Sequence, residues 1–305
     1  MSERTLRGSL RTAAVLAVAI GSLFIAPTNC LAVGEAGAQF LKIGIGAKAG
    51  AMGDAFVALA DDPSAIYWNP AGLTNAQTPQ VQATYGIWFE DMGHHSFCAV
   101  YPAGWGWIGG LLCYSPSGDL PLVSEDLEQS GEYDASDLCG VVSYAWKMGD
   151  NASYGCAMKI VQCSIEEESA SAFAVDAGFI YRVPQFTGLS IGGSIQNVGT
   201  ELKFIQDGDP LPVTLRGGLA FRKSDFVATL DVSSPRDNDA SLHVGAEYTL
   251  LRTLALRAGF MTRPEMESAT TFGLGVTWRQ FEVSYAYMPF EELESTHRIS
   301  ADVVF

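Results

Sequence analysis

Few residues in this 305-residue chain have both the type and the spacing that chemistry needs. His94 and Ser96 form an H-x-S pair on one face of a strand-like segment, where a base could stand beside a nucleophile. No Asn or Asp is identifiable for the third role, and Gly93 opens the segment, so a lipid hydrolase is the remote alternative. His243 and His297 stand alone. Cys98, Cys113, Cys139, Cys156 and Cys163 lack the close pairing of a metal site and read as small apolar fillers, with one bridge between neighbouring strands left open. Glu125-Asp126, Glu166-Glu167-Glu168 and Glu291-Glu292 fall between strand-like runs and read as solvated loops rather than calcium sites. The Gly-rich stretch near the N-terminus holds no G-x-x-x-x-G-K-[ST], so no phosphate loop and no cofactor is expected. This is not the inventory of an enzyme, and function has to be sought in the elements themselves.

The chain opens with Arg4, Arg7 and Arg11, followed by an uncharged apolar run from Thr12 to Pro27. Cys30 and Ala32 then stand three and one before a cut at Val33, so residues 1–32 read as a cleaved signal peptide. A lipoprotein reading of Cys30 meets Pro27 where a leucine-like residue belongs. No later run of 18 or more uncharged apolar residues exists. Yet 48% of the residues are hydrophobic, 11% are aromatic and only 17% are charged, an apolar balance for a chain without helical spans. The formal net charge is −16, and loss of the leader with its net +2 makes it −18, which argues against a nucleic-acid partner.

From about Gln80 the sequence breaks into segments of roughly ten residues that alternate apolar and polar. Leu242, Val244, Ala246, Tyr248 and Leu250 share one face, while His243, Gly245, Glu247 and Thr249 share the other. The same alternation runs through Leu254 to Phe260, Phe272 to Trp278 and Phe281 to Tyr287. About fourteen such strands are countable, an even number that suits a closed antiparallel transmembrane β-barrel. A soluble β-sandwich is the alternative that composition alone leaves open. Gly149-Asp150-Asn151, Lys223-Ser224 and Arg279-Gln280 read as tight turns, and Ser115 to Asp134 and Gly199 to Pro212 as longer loops. The polar face carries Asp176, Arg182, Arg216, Arg222, Asp231, Glu247, Arg257, Arg279, Glu282 and Asp302. In lipid each would cost a few kcal/mol near the midplane, so these side chains are expected in the lumen. Asp176, Arg216, Glu247, Arg257 and Glu282 are the lumen-facing candidates.

Residues 33–76 lack strand alternation and read as short helices joined by Gly turns. Asp62 precedes Pro63 and Asn69 precedes Pro70, each a turn signal, which holds Tyr67 and Trp68 on a compact helical hairpin. The expected organisation is therefore a signal peptide (1–32), a helical hatch in the lumen (33–76) and a barrel (77–305). Phe305 ends an alternating strand, H-R-I-S-A-D-V-V-F, and resembles the C-terminal signal read by the bacterial barrel-assembly machinery.

The run A-M-G-D-A-F-V-A-L-A-D-D-P-S-A-I-Y-W-N-P-A-G-L (Ala51 to Leu73) resembles the N-terminal signature of the PorV/PorQ family, relatives of the FadL long-chain fatty-acid transporters. S-I-Q-N-V-G (Ser194 to Gly199), the L-P-V-T-L-R-G-G-L-A that follows, and the C-terminal strand also look like that family. The resemblance implies a fourteen-stranded outer-membrane barrel with an N-terminal hatch, whose motif here is Trp68, Asn69, Pro70 and Ala71. It implies either passage of a hydrophobic small molecule or, as in PorV-like members, a type IX secretion accessory that binds exported proteins. The partners expected are outer-membrane lipid, the barrel-assembly machinery, and one of those two cargoes. No enzymatic activity is expected.

Overall fold

The computed structural model describes residues 36–89, 92–123, 129–204, 208–263, 266–289 and 295–305. The expected signal peptide, the cut before Val33, and the pairs Glu125-Asp126 and Glu291-Glu292 lie outside them. Fourteen antiparallel strands close into a barrel. In chain order they are β1 (Gln80–Ile87), β2 (Gly93–Ala103), β3 (Gly106–Val123), β4 (Gln129–Met148), β5 (Ala152–Ile165), β6 (Glu168–Arg182) and β7 (Leu189–Gly199). After a two-stranded outlier, β8 (Leu202–Lys203) with β9 (Gly208–Asp209), come β10 (Thr214–Lys223), β11 (Phe226–Pro235), β12 (Ser241–Leu250) and β13 (Leu254–Arg263). The last three are β14 (Met266–Trp278), β15 (Phe281–Met288) and β16 (Thr296–Val304). Every barrel neighbour is also a sequence neighbour, β7 to β10 counting as one step, and β16 pairs back onto β1 from Gln80↔Val304 to Ile87↔His297. Closure leaves the sheet no edge, which removes the sandwich alternative.

The period-two pattern explains how the barrel stands in its surroundings. Phe97, Leu112, Val142, Met158, Phe173 and Leu274 point outward and are about half to nearly three-quarters exposed. Such a continuous apolar exterior is stable only in hydrocarbon, so the outer face is a lipid face. Stacked rings Trp105, Tyr144, Trp146 and Tyr154 run along the lower edge of β3 to β5 with centroids 5.3–5.9 Å apart, as an interfacial aromatic girdle does.

One rim carries both chain ends of the barrel and the turns at 104–105, 149–151, 183–188, 224–225, 251–253 and 279–280. There the backbone N–H of Phe305 donates to Pro79 O at 3.0 Å and the Phe305 ring is exposed. The other rim carries most of the longer connections, including 200–213 and 289–295.

Two expectations are corrected and a third is refined. Within Ser115 to Asp134 the described residues 115–123 and 129–134 are strand, not loop: β3 and β4, 18 and 20 residues long, continue pairing there, with register shifts between Pro116 and Asp119 and between Leu122 and Val123. A bulge absorbs Ser117 and Gly118 without ending the ladder. Gly199 to Pro212 holds the β8–β9 pair, anchored where Gly37 N–H donates to Pro210 O at 3.0 Å. Arg279 does not face the lumen, because its left-handed φ of 55° places it in the β14–β15 turn, over the Trp278 ring at 4.9 Å.

Candidate functional site

The space inside the barrel is filled at mid-height by residues 44–76. A small-residue helix, Ala47–Ala51, lies against β13 to β16 because nothing larger would fit. A Cβ on Gly273 would overlap the Ala51 side chain, and Cβ atoms on Gly245 and Gly259 would strike the Met52–Gly53 backbone. Gly53 itself adopts φ 66° with Phe260 N and Val244 O 2.8 Å from where its Cβ would be, so a side chain is excluded twice over. Hydrogen bonds fix the contact: Ala47 N–H donates to Ser300 Oγ (2.8 Å), the Thr271 hydroxyl donates to Ala51 O (3.0 Å), and His243 Nδ1 lies 2.7 Å from Gly53 O.

The second half turns on Asn69, a fully buried residue in extended conformation before Pro70. Its Oδ1 accepts from Ala71 N–H at 3.1 Å, capping the 3₁₀ turn Pro70–Asn75, with Pro at the first helical position where no N–H is missed. Its Nδ2 donates to Val57 O (2.8 Å) and to Phe179 O of β6 (3.0 Å), joining two parts of the segment to the wall. Trp68, completely buried, donates from Nε1 to Ile45 O at 3.0 Å and packs edge-on against Tyr67 and Phe56. Its carbonyl accepts from Ser194 Oγ at 3.0 Å, and Gln196 donates to Tyr67 O. Tyr67 donates to Leu41 O at 3.1 Å, and burial pushes its phenol up to about 12, so it remains a donor at neutral pH. Pro70 and Ala71 are buried against Gly155 of β5. Thr74 Oγ1 donates to Ser153 Oγ (2.8 Å), and Trp107 donates to Ala76 O (2.8 Å).

The five charged lumen candidates are all inward-facing but do different things. Arg216 places its guanidinium 4.9 Å from the Trp68 ring and donates to Gln196 Oε1 at 3.0 Å. Arg257 bonds Glu247 (2.7 Å), Glu282 (2.8 Å) and Ser284 (2.7 Å), and Glu247 lies 3.8 Å from Lys48 of the segment. Asp176 has no part in this, since it is held by Lys159 (2.7 Å) and Asn197 N–H (2.8 Å) within the wall.

Sequence reasoning missed the residues that meet them from the segment. Lys48 reaches both oxygens of Asp61 at 2.9 Å, Arg222 joins the same carboxylate, and Asp54 pairs with Arg298 at 3.2 Å. Burial opposes the Lys48 charge, yet Asp61 and Glu247 outweigh it and hold that pKa above its usual value. Burial likewise works against the Asp61 carboxylate, but Lys48 and Arg222 hold its pKa below the ordinary range. The only advance signal was four charged residues in a segment otherwise built of Gly, Ala and apolar side chains. His94 does not engage Ser96: its Nδ1 lies 2.7 Å from Ser115 Oγ on β3. The five cysteines are free, four buried and Cys156 on the lipid side. Among the described residues no group of three or more His, Cys, Asp or Glu is arranged to hold a metal.

Above the segment, toward the long-loop rim, lies a vestibule of about 540 Å³. Phe40, Ile43, Trp88, Phe89, Met92 and Met288 give it apolar walls, and Asp54, Arg216, His243 and Arg298 place polar groups deeper. Below, at the short-turn rim, are recesses of about 600 Å³ beside Leu59, Asn75 and Arg222, and about 140 Å³ beside Lys48, Asp62 and Asp302. The segment is the partition between them.

No protein-family model matches the chain, and no curated protein sequence matches it. Solved structures do. The toluene transporter TodX of Pseudomonas putida superposes with a TM-score of 0.66 at 13% identity, over 86% of this chain and 99% of that one. The CymD monoaromatic hydrocarbon channel gives 0.65 at 12%, over 86% and 98%. A Pseudomonas aeruginosa FadL homologue gives 0.59 at 11%, over 85% and 98%. At such identities the likeness establishes the fold, and the chain has the fold of these FadL-type barrels.

Proposed function

We propose that this protein is an outer-membrane channel through which a hydrophobic small molecule passes, gated by residues 36–76 acting as a hatch. The carrying observation is the apolar vestibule of about 540 Å³ floored by that segment. The volume suits a small ligand, since such sites span roughly 300–1,000 Å³. The long-loop rim faces outward in this reading, as longer loops do in outer-membrane barrels, and the exit lies toward the recess beside Leu59 and Arg222. The toluene and monoaromatic-hydrocarbon channels of the same fold support an apolar cargo. Trp68, Asn69, Pro70 and Ala71 form the hatch motif, and Arg216, Glu247, Arg257 and Glu282 the lumen groups that hold it. Phe305 serves recognition by the barrel-assembly machinery after export through a cleaved leader. Proteoliposome uptake of radiolabelled toluene tests the reading. A disulfide between hatch and wall is expected to abolish saturable uptake, and undiminished uptake by the tethered protein would refute it.

One feature favours a second reading, the PorV-like accessory that binds an exported protein. β2 pairs with β3 only as far as Tyr114, and β5 meets β4 only from Ala135. Residues 115–123 of β3 and 129–134 of β4 therefore pair with each other beyond the reach of both neighbours at the long-loop rim, as a protein-binding element would. Trimming these residues is expected to leave uptake intact under the channel reading and to abolish capture of an exported protein under the other.

A further inference from the structure

Two of the five described cysteines stand directly opposite each other across a strand pair, Cys113 of β3 facing Cys139 of β4. Both side chains are buried, so they lie on the lumen face of the wall. Directly opposed residues of an antiparallel pair hold their Cα atoms about 4.5–5.5 Å apart. A disulfide spans about 4.4–6.8 Å between Cα atoms. No other pair of described cysteines meets this condition. Cys98 faces Leu111 and Cys139 faces Val161 on its second side, so Cys98–Cys113 and Cys139–Cys163 are diagonal pairs. Diagonal neighbours are about 7–8 Å apart, at or beyond the limit of roughly 7 Å for a bridge. Cys156 is exposed on the lipid side, opposite Tyr144 and Ala177.

The pair sits at the root of the part of the hairpin that outruns its neighbours. Toward the long-loop rim, β2 follows β3 only to Tyr114, and β5 follows β4 only to Ala135. Between the cysteines and the bulge stand Tyr114↔Leu138, Ser115↔Asp137 and Pro116↔Ser136, and the register shifts after them. Past the bulge each strand has only the other to pair with. A covalent link between Cys113 and Cys139 encloses that whole extension in one ring, which fixes the register below the bulge and removes freedom from the opened hairpin.

We propose that Cys113 and Cys139 are oxidised to a disulfide in the outer-membrane protein, a covalent staple at the root of the β3–β4 hairpin. The inference rests on the outer-membrane placement, because a chain bound there crosses the oxidising periplasm. The oxidant is a reactive protein disulfide, RSSR, and it acts on the hairpin before the closed barrel buries both sulfurs. One cysteine thiolate attacks a sulfur of RSSR and expels RS⁻, giving a mixed disulfide; the second thiolate attacks the cysteine sulfur of that bond and expels the other RS⁻. Two thiols lose two electrons, their two protons pass to the leaving thiolates, and the oxidant departs as two RSH.

The test uses the full chain extracted from outer membranes and shown by its heat-shift on gels to be a closed barrel. It is denatured without reductant, alkylated with N-ethylmaleimide and weighed, then digested with Glu-C. Of the five cysteines beyond residue 32, three are expected to be alkylated, and the Cys113 and Cys139 peptides are expected to emerge joined. C113S and C139S are each expected to show four alkylated cysteines, and C98S/C163S one, with the link kept. Proteolysis within residues 115–134 is expected to run several-fold faster in C113S/C139S than in wild type. C98S/C163S, which removes as many buried thiols, is expected to keep the wild-type rate. Five alkylated cysteines in the closed wild-type barrel, or a link between any other pair, overturns the inference and leaves the outer-membrane placement standing. Equal proteolysis of the two double variants overturns the staple. The wild-type mass decides the bond without any variant, and no cargo enters the measurement, so the outcome does not depend on the channel reading.

Discussion

Along β12 to β16 the N-terminal segment meets charge, and along β5 to β7 it meets neutral groups at close range. On the first side Lys48 approaches Glu247 at 3.8 Å and Asp54 pairs with Arg298 at 3.2 Å, backed by the Arg257, Glu247 and Glu282 cluster. On the second Asn69, Thr74 and the Tyr67 and Trp68 carbonyls bond to Phe179 O, Ser153, Gln196 and Ser194, Gly155 and Gly192 let the two backbones touch, and Gly178 leaves room for the Asn69 amide. Arg182 joins this side too, but it meets the Asn75 amide at 2.6 Å rather than an acid. Neutral buried bonds are indifferent to salt and to pH, whereas ion pairs near water are not. The segment thus has one fixed anchor and one adjustable one, as the gate proposed above would need.

The neutral anchor should break hardest. Trp68→Ala empties the centre of the segment and removes the bond to Ile45 O, at a cost of about 3–5 kcal/mol for a fully buried Trp. Limited proteolysis is expected to cut residues 64–76 readily while the barrel keeps its heat-shift. If cleavage stays confined to 44–63, the anchor has been placed on the wrong side. Asn69→Ala comes next, since it leaves Val57 O and Ala71 N–H without their side-chain partner at about 1–3 kcal/mol each. Asn69→Asp keeps the Ala71 cap but sets a buried carboxylate oxygen against Val57 O and Phe179 O, so its protease sensitivity should be at least that of alanine.

The barrel was legible in the sequence and the anchor chemistry was not, for a physical reason. A strand facing lipid on one side repeats every two residues, and Leu242 to Leu250 or Phe272 to Trp278 show that repeat without any knowledge of partners. The same rule put Glu247, Arg257 and Asp176 inside, but it says nothing of what each side chain meets there. Asp176 turned to Lys159 within the wall, while Glu247 turned to Lys48 some two hundred residues away in sequence. The segment itself has no period, because its shape is set by glycines on the wall such as Gly178 and Gly259, whose importance appears only when the Cβ space is measured. The reading of Ser115 to Asp134 as a longer loop failed for the opposite reason, since the β3–β4 ladder continues past a bulge between Pro116 and Asp119.

On the charged side effects should be smaller. Lys48→Met leaves Asp61 with Arg222 and Glu247 with Arg257, so neither acid is stranded, and a loss of about 1–2 kcal/mol is expected. Proteolysis should then begin within 44–63 and spare 64–76. Raising salt to about 1 M, where the Debye length is about 3 Å, should weaken the half-exposed Arg222–Asp61 contact in both proteins, and more visibly in the Lys48 variant, where Asp61 has lost its other ion-pair partner.

The smallest effect expected is that of alkaline pH, and its direction follows from the pKa shifts. A lysine whose folded-state pKa is raised stabilises the docked segment fully below its unfolded value of about 10.5. That contribution disappears as pH climbs through the folded-state value, which lies higher. The Asp61 carboxylate, held below the ordinary range by Lys48 and Arg222, stays ionised throughout pH 8–12. On the neutral side the Tyr67 phenol, pushed up by burial, titrates only at about 12. Between pH 8 and 10, therefore, subtilisin should cut wild type at a constant rate once corrected for its own pH dependence. Above pH 10.5 cleavage should accelerate several-fold and begin within residues 44–63, while Lys48→Met, which has already lost the titrating group, should show no such step. A step of equal size in both proteins would mean that the wall arginines or the barrel itself respond to pH, and the adjustable anchor would have to be sought away from Lys48.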